Sequence, residues 1–173
     1  GVLLSAFGRR RPKWRLFGHD LSEVNRDQLE LIYGFERLHT GALGVVPGRY
    51  NLITMLHSLE HFEDPAAGLH DIKRLVTGGG SLVVQVPNGE ATPFDLLVAD
   101  HVSHFTLRDL ERLFADGGWE VVTAANDWVT KELSTVVSPK KPDLFVQQQR
   151  AGVEPSEVLA HVRLQIDWLN TVI

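Results

Sequence analysis

The sequence predicts an α/β fold with a mostly parallel sheet, and the middle of the chain provides the main observations. Tyr50–Leu56 is a short apolar run rich in β-formers, which predicts a buried strand. Asp64 and Pro65 then form the cap and first turn of a helix that is predicted to end at the glycines 78–80. Ser81–Val86 is a second apolar, β-branched run. Two such apolar strands joined by a helix are typical of a parallel βαβ unit that is buried on both faces.

The rest of the chain extends this pattern into a doubly wound, Rossmann-like sheet in a three-layer α/β/α arrangement. A capping pair, Thr106 with Asp109, predicts one further helix, which Gly117 ends. Asn126–Pro142 is predicted to be a loop. The other predicted strands are Trp14–Gly18, Gly34–His39, Glu120–Ala125 and Asp143–Gln149, and the other predicted helices are Ser22–Tyr33 and Ser156–Ile173.

Domain organisation follows from length and from the last helix. A chain of 173 residues fits one domain with a sizeable core, here residues 1–150. Residues 151–173 contain an apolar helical stripe that packs either on the domain or against a second subunit, as in a homodimer.

Composition excludes several classes of protein. The net charge of −5 argues against a nucleic-acid backbone as the partner. The absence of cysteine excludes disulfides and thiolate metal sites. No apolar run approaches the roughly 20 residues that a membrane helix needs. The sequence therefore predicts a cytoplasmic protein without a nucleic-acid or membrane partner.

Polar residues follow several predicted strands, and ligands bind beyond the carboxyl ends of the strands in parallel sheets. His57 and Asn88 follow the two strands of the βαβ unit, and Asp20 follows an earlier strand. An acid at that position can accept hydrogen bonds from both hydroxyls of a nucleoside ribose. The alternative is that Asp20 only caps the next helix.

Two segments, YNLITMLHSLEHFEDP from Tyr50 and LVTGGGSLVVQVPN ending at Asn88, carry a family resemblance. They resemble the class I S-adenosylmethionine-dependent methyltransferases, in particular the branch that acts on small molecules. The resemblance runs from Gly1 to about Gln149. It implies S-adenosylmethionine as cofactor, S-adenosylhomocysteine as product, a small-molecule methyl acceptor and an antiparallel last strand in the sheet.

The resemblance also implies a set of cofactor-binding positions. Gly1 matches the last glycine of the family's glycine-rich turn, so the sequence as given would begin after a first strand. Asp20, with Leu21 beside it, matches the ribose-binding acid. Ala42 and Leu43 stand where relatives often have an acid that binds adenine, and their backbone groups would replace it. The remaining positions are Met55, Leu56 and His57.

Asp100 and His101 are the catalytic candidates. Many relatives carry a similar DHxxHFT segment, and in the sugar C-methyltransferases the histidine is regarded as a base. A histidine can take a proton from the acceptor near neutral pH, while the methyl sulfonium is already activated. The alternative is that His101 and His104 only fix the loop to the following helix.

Two other functions stay open. His57, Glu60 and His61 spell the H-x-x-E-H signature of a zinc hydrolase. The short distance to the helix that begins at Asp64 argues against it, and no metal is expected. A cofactor-binding domain without catalysis is the second alternative, because Asn51 and Ala42 replace acids that relatives often have.

Overall fold

The structure is a computed structural model that describes residues 1–140, and the chain divides into two compact units. The first unit is Gly1–Pro47 and the second begins at Gly48. The first contains helix α1 (Val2–Arg10), strand β1 (Leu16–Asp20), helix α2 (Arg26–Glu30) and strand β2 (Phe35–Thr40). A single 3₁₀ turn, Leu43–Val45, follows β2.

In the first unit, β1 and β2 form a parallel pair in which Asp20 lies opposite Thr40. Both strands lie close to their predicted positions, and Asp20 is the last residue of β1. The predicted helix Ser22–Tyr33 is wrong in length, because α2 has only five residues. Its apolar residues Val24 and Leu31 are exposed, so they provide no burial to stabilise a longer helix.

Within residues 48–140, the second unit contains one four-stranded sheet. Its strands are ordered β3-β4-β6-β5, with β3 and β4 parallel and β6 antiparallel to both of its neighbours. Its elements are β3 (Tyr50–Leu56), α3 (Pro65–Leu75), β4 (Val76–Pro87), α4 (Leu107–Asp116), β5 (Trp119–Ala125) and β6 (Glu132–Pro139). The parallel βαβ unit is therefore confirmed, although Met55 is the one buried residue of β3. Antiparallel pairing is present at β6, which differs from the predicted last strand.

Local signals predicted the helix starts correctly. The Asp64 carboxylate accepts the backbone N–H of Ala67 at 2.9 Å, and α3 begins at Pro65. Thr106 and Asp109 form a reciprocal capping box at the start of α4. Each interaction satisfies backbone donors that the first helical turn leaves without partners.

Two predictions for this unit were wrong. The helix α3 does not extend to the glycines at 78–80, because β4 begins at Val76 and includes them. The predicted loop Asn126–Pro142 contains β6, a central strand whose residues 133–137 are buried. The predicted strand Asp143–Gln149, the helix Ser156–Ile173 and the boundary at residue 150 lie outside the described residues.

None of the helices within residues 1–140 has the length and apolar character that a membrane span requires.

A close contact fixes the segment after β3 against α3. Gly68, in the first turns of α3, packs against the ring of Phe62, and a Cβ at Gly68 would overlap the ring atoms Cδ1 and Cε1. The segment that ends at Phe62 therefore depends on a residue without a side chain.

We expect Gly68→Ala to lower the free energy of unfolding by about 1–3 kcal/mol, the usual cost of overpacking. This reverses the gain that alanine normally gives over glycine inside a helix. Urea denaturation measures the change. Gly78→Ala is the matched control, because no atom lies within 4 Å of the added Cβ. A Gly68→Ala protein as stable as the control would contradict the packing argument.

Candidate functional site

The predicted site residues fall in both units. The first unit holds five of the cofactor candidates: Gly1, Asp20, Leu21, Ala42 and Leu43. The second unit holds the other five candidates: Met55, Leu56, His57, Asp100 and His101.

In the first unit, Asp20 lies at the carboxyl end of β1 and is exposed. Its Oδ1 accepts the backbone N–H of Ser22 at 3.0 Å, which is a local turn, and the N-cap of α2 is Asn25 rather than Asp20. The neighbouring His19 ring lies 2.8 Å from the carbonyl oxygen of Gly41, which connects the ends of β1 and β2. Gly41 has a φ of +91°, a backbone conformation that glycine adopts without strain.

The other candidates of this unit differ in position. Ala42 and Leu43 follow β2 and begin the 3₁₀ turn at the same edge of the parallel pair as Asp20. Leu21 comes directly after Asp20, with 84% of its surface exposed. Gly1 precedes the first residue of α1 and is its N-cap. Within this unit, the structure therefore gathers Asp20, Leu21, Ala42 and Leu43 at one sheet edge.

In the second unit, His57 lies directly after β3, at the carboxyl end of the strand. The His57 backbone N–H donates to the carbonyl oxygen of Gln85 at 3.0 Å, and its φ is +50°, which turns the chain sharply after the strand. Met55 is buried in the core, with 6% of its surface exposed, and Leu56 is half-buried. His57 is therefore the most accessible of the three predicted cofactor contacts.

Two glutamates flank the His57 ring. Nδ1 lies 3.3 Å from Glu60 Oε1, and Nε2 lies 3.5 Å from Glu132 Oε2. Contact with the Glu60 carboxylate raises the pKa of His57 above its ordinary value. Burial lowers this pKa, whereas the charge of Glu132 raises it further. Burial raises the pKa of Glu132. Both oxygens of the fully buried Glu60 carboxyl lack a hydrogen-bond partner among the described residues.

The Asp95 carboxylate, which is buried, connects two histidines. His101 Nδ1 lies 2.5 Å from Oδ1, and His104 Nδ1 lies 2.6 Å from Oδ2. Burial alone would raise the pKa of Asp95, but hydrogen bonds from His104 and His101 outweigh it and hold the pKa below its ordinary value. Asp95 is therefore ionised near neutral pH and accepts a hydrogen bond from each ring.

The histidine that Asp100 contacts is His61. His61 Nδ1 lies 2.9 Å from the Asp100 carbonyl oxygen and 3.4 Å from its carboxylate. The carboxylate next to His101 is Asp95, six residues earlier in the chain. The His61 and His101 rings meet edge to face, with their centroids 4.8 Å apart.

Backbone hydrogen bonds attach the loop after β4 to the segment after β3. The Glu60 carbonyl oxygen accepts the N–H groups of Val102 and Ser103, both at 3.0 Å. The Ser103 hydroxyl donates to the carbonyl oxygen of Phe62 at 3.3 Å. These bonds place the acidic and histidine side chains of the two segments in one polar cluster.

Asp95 and Glu132 were not among the predicted site residues. Asp95 lies in a 3₁₀ turn, Pro93–Leu97. Glu132 begins β6, the strand that was missed. A local cue for Asp95 existed in retrospect, since it is an acid among apolar residues close to two histidines.

The H-x-x-E-H motif does not adopt the long helix of a zinc hydrolase. His57 follows a strand, and only Leu59–His61 forms a 3₁₀ turn. Among the described residues, the one group of three or more metal-ligating side chains contains Glu60, His61 and His101, without His57. The geometry therefore gives no support to the hydrolase alternative.

The family of this chain is shown by its sequence. The family model described as "Methyltransferase domain" matches residues 1–124, well over half of the chain. The chain belongs to this family, and the predicted membership of the class I S-adenosylmethionine-dependent methyltransferases is confirmed. Among curated proteins, none matches the sequence.

Solved structures confirm the class I methyltransferase fold. LaPhzM is 22% identical with a TM-score of 0.65, and the match covers 80% of this chain and 47% of that one. The O-methyltransferase NcsB1 of neocarzinostatin biosynthesis, in complex with S-adenosylmethionine and 2-hydroxy-5-methyl naphthoic acid, is 20% identical with a TM-score of 0.66, covering 79% and 45%.

A third similar structure is an O-methyltransferase family 2 protein from Planctomyces limnophilus in complex with apigenin. It is 16% identical with a TM-score of 0.65, covering 80% of this chain and 46% of that one. The present chain thus spans about half the length of each of these three proteins.

The contact between His57 and Glu60 predicts a pH-dependent stability. The pKa of His57 is higher in the folded protein than in the unfolded chain, where it is about 6.5. The contact therefore contributes fully to the stability of the fold below about pH 6.5, and this contribution is lost as the pH rises through the folded pKa. We expect the difference in the free energy of unfolding between the wild type and Glu60→Gln to decrease as the pH rises from the unfolded pKa of His57 to its folded pKa.

Urea denaturation at a series of pH values measures this difference, and NMR titration of the ring gives the pKa of His57 directly. Glu63→Gln is the control, because Glu63 is an exposed neighbour outside the cluster. A His57 pKa that is unchanged by Glu60→Gln would contradict the assigned cause.

Proposed function

We propose that this domain transfers a methyl group from S-adenosylmethionine to an oxygen, nitrogen or carbon atom of a small molecule and releases S-adenosylhomocysteine. Family membership supports the reaction. The similar structure of NcsB1 contains S-adenosylmethionine and an aromatic hydroxy acid, which supports the cofactor and the class of acceptor. A cytoplasmic location and a homodimer through Ser156–Ile173 belong to the same proposal.

The carboxyl ends of the strands supply the proposed cofactor contacts. Asp20 accepts hydrogen bonds from the ribose hydroxyls, and its exposed position at the end of β1 supports this role. Leu21, Ala42 and Leu43 line the adenosine portion from the same sheet edge. Gly1 allows the backbone at the start of α1 to approach the cofactor closely.

Residues after β3 supply further contacts. His57 is exposed and polar, and it binds the charged portion of the cofactor. Leu56 is half-buried and provides an apolar contact, whereas Met55 is buried and contributes through its backbone.

His101 is the proposed general base, and its 2.5 Å contact with Asp95 is the observation that carries this assignment. An ionised carboxylate only accepts hydrogen bonds, so Nδ1 of His101 carries a proton, and in the neutral ring the lone pair is on Nε2. Nε2 can then take the acceptor's proton while the methyl group leaves the sulfonium sulfur. The Asp95 charge stabilises the imidazolium that forms, as an aspartate does for other catalytic histidines.

Asp100 is proposed as a positioning residue rather than as the partner of the base. Its carbonyl oxygen accepts from His61 Nδ1, and the His61 ring packs edge to face against His101. Asp100 therefore acts on His101 through His61.

Asp20→Ala should weaken S-adenosylmethionine binding at least tenfold, which corresponds to about 1.4 kcal/mol, because the ribose loses a charged acceptor. Isothermal titration calorimetry of the cofactor into the intact protein measures this. Asp27→Ala is the matched control, since Asp27 is an exposed acid on α2. A folded wild type that binds neither S-adenosylmethionine nor S-adenosylhomocysteine would rule out the proposed reaction.

His101→Ala and Asp95→Asn should each lower kcat by roughly 10²–10⁴, the usual contribution of a positioned base, while cofactor affinity changes little. Turnover is measured over a panel of phenols, amines and enols, with His70→Ala on α3 as the exposed histidine control. Asp95→Asn should also alter the pH profile of kcat, which a purely structural role would leave in place. Wild-type turnover by His101→Ala would eliminate His101 as the base.

A further inference from the structure

Three side chains of the second unit converge on one point. Glu60, His61 and His101 can each offer one ligand atom, and these three atoms lie within 4.8 Å of one another. Glu60 and His61 come from the 3₁₀ turn after β3, and His101 comes from the loop after β4. Backbone hydrogen bonds from Val102 and Ser103 to the Glu60 carbonyl oxygen hold the two segments together.

Hydrogen bonds fix the orientation of both histidines. The Asp100 carbonyl oxygen can only accept, so His61 Nδ1 is the donor, and the ionised Asp95 carboxylate requires the same of His101 Nδ1. In the neutral form of each ring, the lone pair is therefore on Nε2. Histidines that bind metals typically have this arrangement, with the other ring N–H donated to a carboxylate or a backbone carbonyl.

The environment of the Glu60 carboxyl is a second observation that points to a bound cation. Its side chain is fully buried, and neither carboxyl oxygen has a hydrogen-bond partner among residues 1–140. A buried carboxylate without such a partner is costly, and the His57 ring lies 3.3 Å from it. A cation between Glu60 and the two histidines would remove this cost.

We propose that Glu60, His61 and His101 form a binding site for a divalent transition-metal ion of the zinc class. Two imidazole nitrogens and one carboxylate oxygen suit zinc, whereas magnesium and calcium favour sites made of oxygen ligands alone. Three protein ligands leave the fourth tetrahedral position open for water. The proposed site differs from the site that the H-x-x-E-H motif would form in a zinc hydrolase, because His57 is not a ligand.

The distances require only a small adjustment. Tetrahedral ligands about 2.0–2.1 Å from zinc lie about 3.4 Å from one another. The atoms are now within 4.8 Å of one another, and turning the Glu60 carboxyl toward the ion would break no hydrogen bond and would alter only its 3.3 Å contact with His57. The two rings are already oriented by Asp95 and by the Asp100 carbonyl oxygen.

Metal binding and the proposed base role exclude one another. A metal on His101 Nε2 occupies the lone pair that would take the acceptor's proton. Bound zinc therefore inhibits methyl transfer, and this consequence, unlike the site itself, rests on the proposed function.

The test of the site is calorimetric titration of zinc chloride alone into the intact, chelator-treated protein. We expect one ion per chain, with affinity at least tenfold weaker in His61→Ala and in Glu60→Gln, about 1.4 kcal/mol each. Asp95→Asn changes the hydrogen-bond partner of the ligand His101 and leaves the three ligands in place, so it should weaken zinc binding about 10–100-fold. Cobalt substitution should give the visible absorption bands of a tetrahedral ion.

Two controls make the result decisive. His70→Ala removes an exposed histidine and should leave zinc affinity unchanged. His57→Ala should retain the site, whereas a site built on the H-x-x-E-H motif would lose it. The proposal is overturned if the wild type binds no zinc, or if His61→Ala binds it as tightly as the wild type does.

A separate readout tests the consequence. Once the acceptor panel has given a substrate, stoichiometric zinc should suppress wild-type turnover, and a chelator should restore it. Unchanged turnover by zinc-loaded protein would contradict the proposed inhibition by zinc. The existence of the metal site would still be decided by the calorimetric titration. Absence of turnover in metal-free protein would count against the proposed function alone.

Discussion

One buried carboxylate, Asp95, holds both histidines of the loop that follows β4. Its two oxygens accept from His101 and His104 at 2.5 and 2.6 Å, so the cost of burying the charge is offset by two charge-assisted hydrogen bonds. The 3₁₀ turn Pro93–Leu97 buries Asp95 while its neighbours Phe94 and Leu96 stay exposed. The direction of the His101 ring, and so any chemistry at Nε2, depends on this arrangement.

Glu60 has the complementary role in the segment after β3. Its backbone carbonyl oxygen receives two N–H groups from the histidine loop, while its carboxyl stays buried without a hydrogen bond. One residue thus fixes the two segments together and keeps an acidic group inside the cluster. Natural proteins retain such costly groups mainly where they have a function, which agrees with the proposals made for this cluster.

Much of the fold could be predicted, because local patterns determine it. The apolar run of β3 and the caps Asp64 and Thr106 act over a few residues, and each appears as expected. The helix predicted for Ser22–Tyr33 is too long because Val24 and Leu31, on either side of α2, are exposed and only Leu29 is buried within α2. The strand β6 was missed because its burial comes from β4 and β5 on both sides, which a local pattern does not reveal.

The site was less predictable than the fold. Asp100 and His101 are adjacent in sequence, yet their side chains contact different partners, His61 and Asp95. Adjacency along a loop says little about which groups meet, because the backbone bends set the direction of each side chain. The family resemblance led to His101, but the carboxylate that orients it could be identified only from the three-dimensional structure.

The most direct test of the account is the tautomer of His101, measured from the ¹⁵N shifts and couplings of its ring in labelled, metal-free protein. The structure predicts that the neutral form of the ring is protonated at Nδ1, with its lone pair on Nε2, and that Asp95→Asn shifts it toward the other tautomer. A wild-type ring protonated mainly at Nε2 would contradict the role of Asp95 on which both the base and the metal site depend.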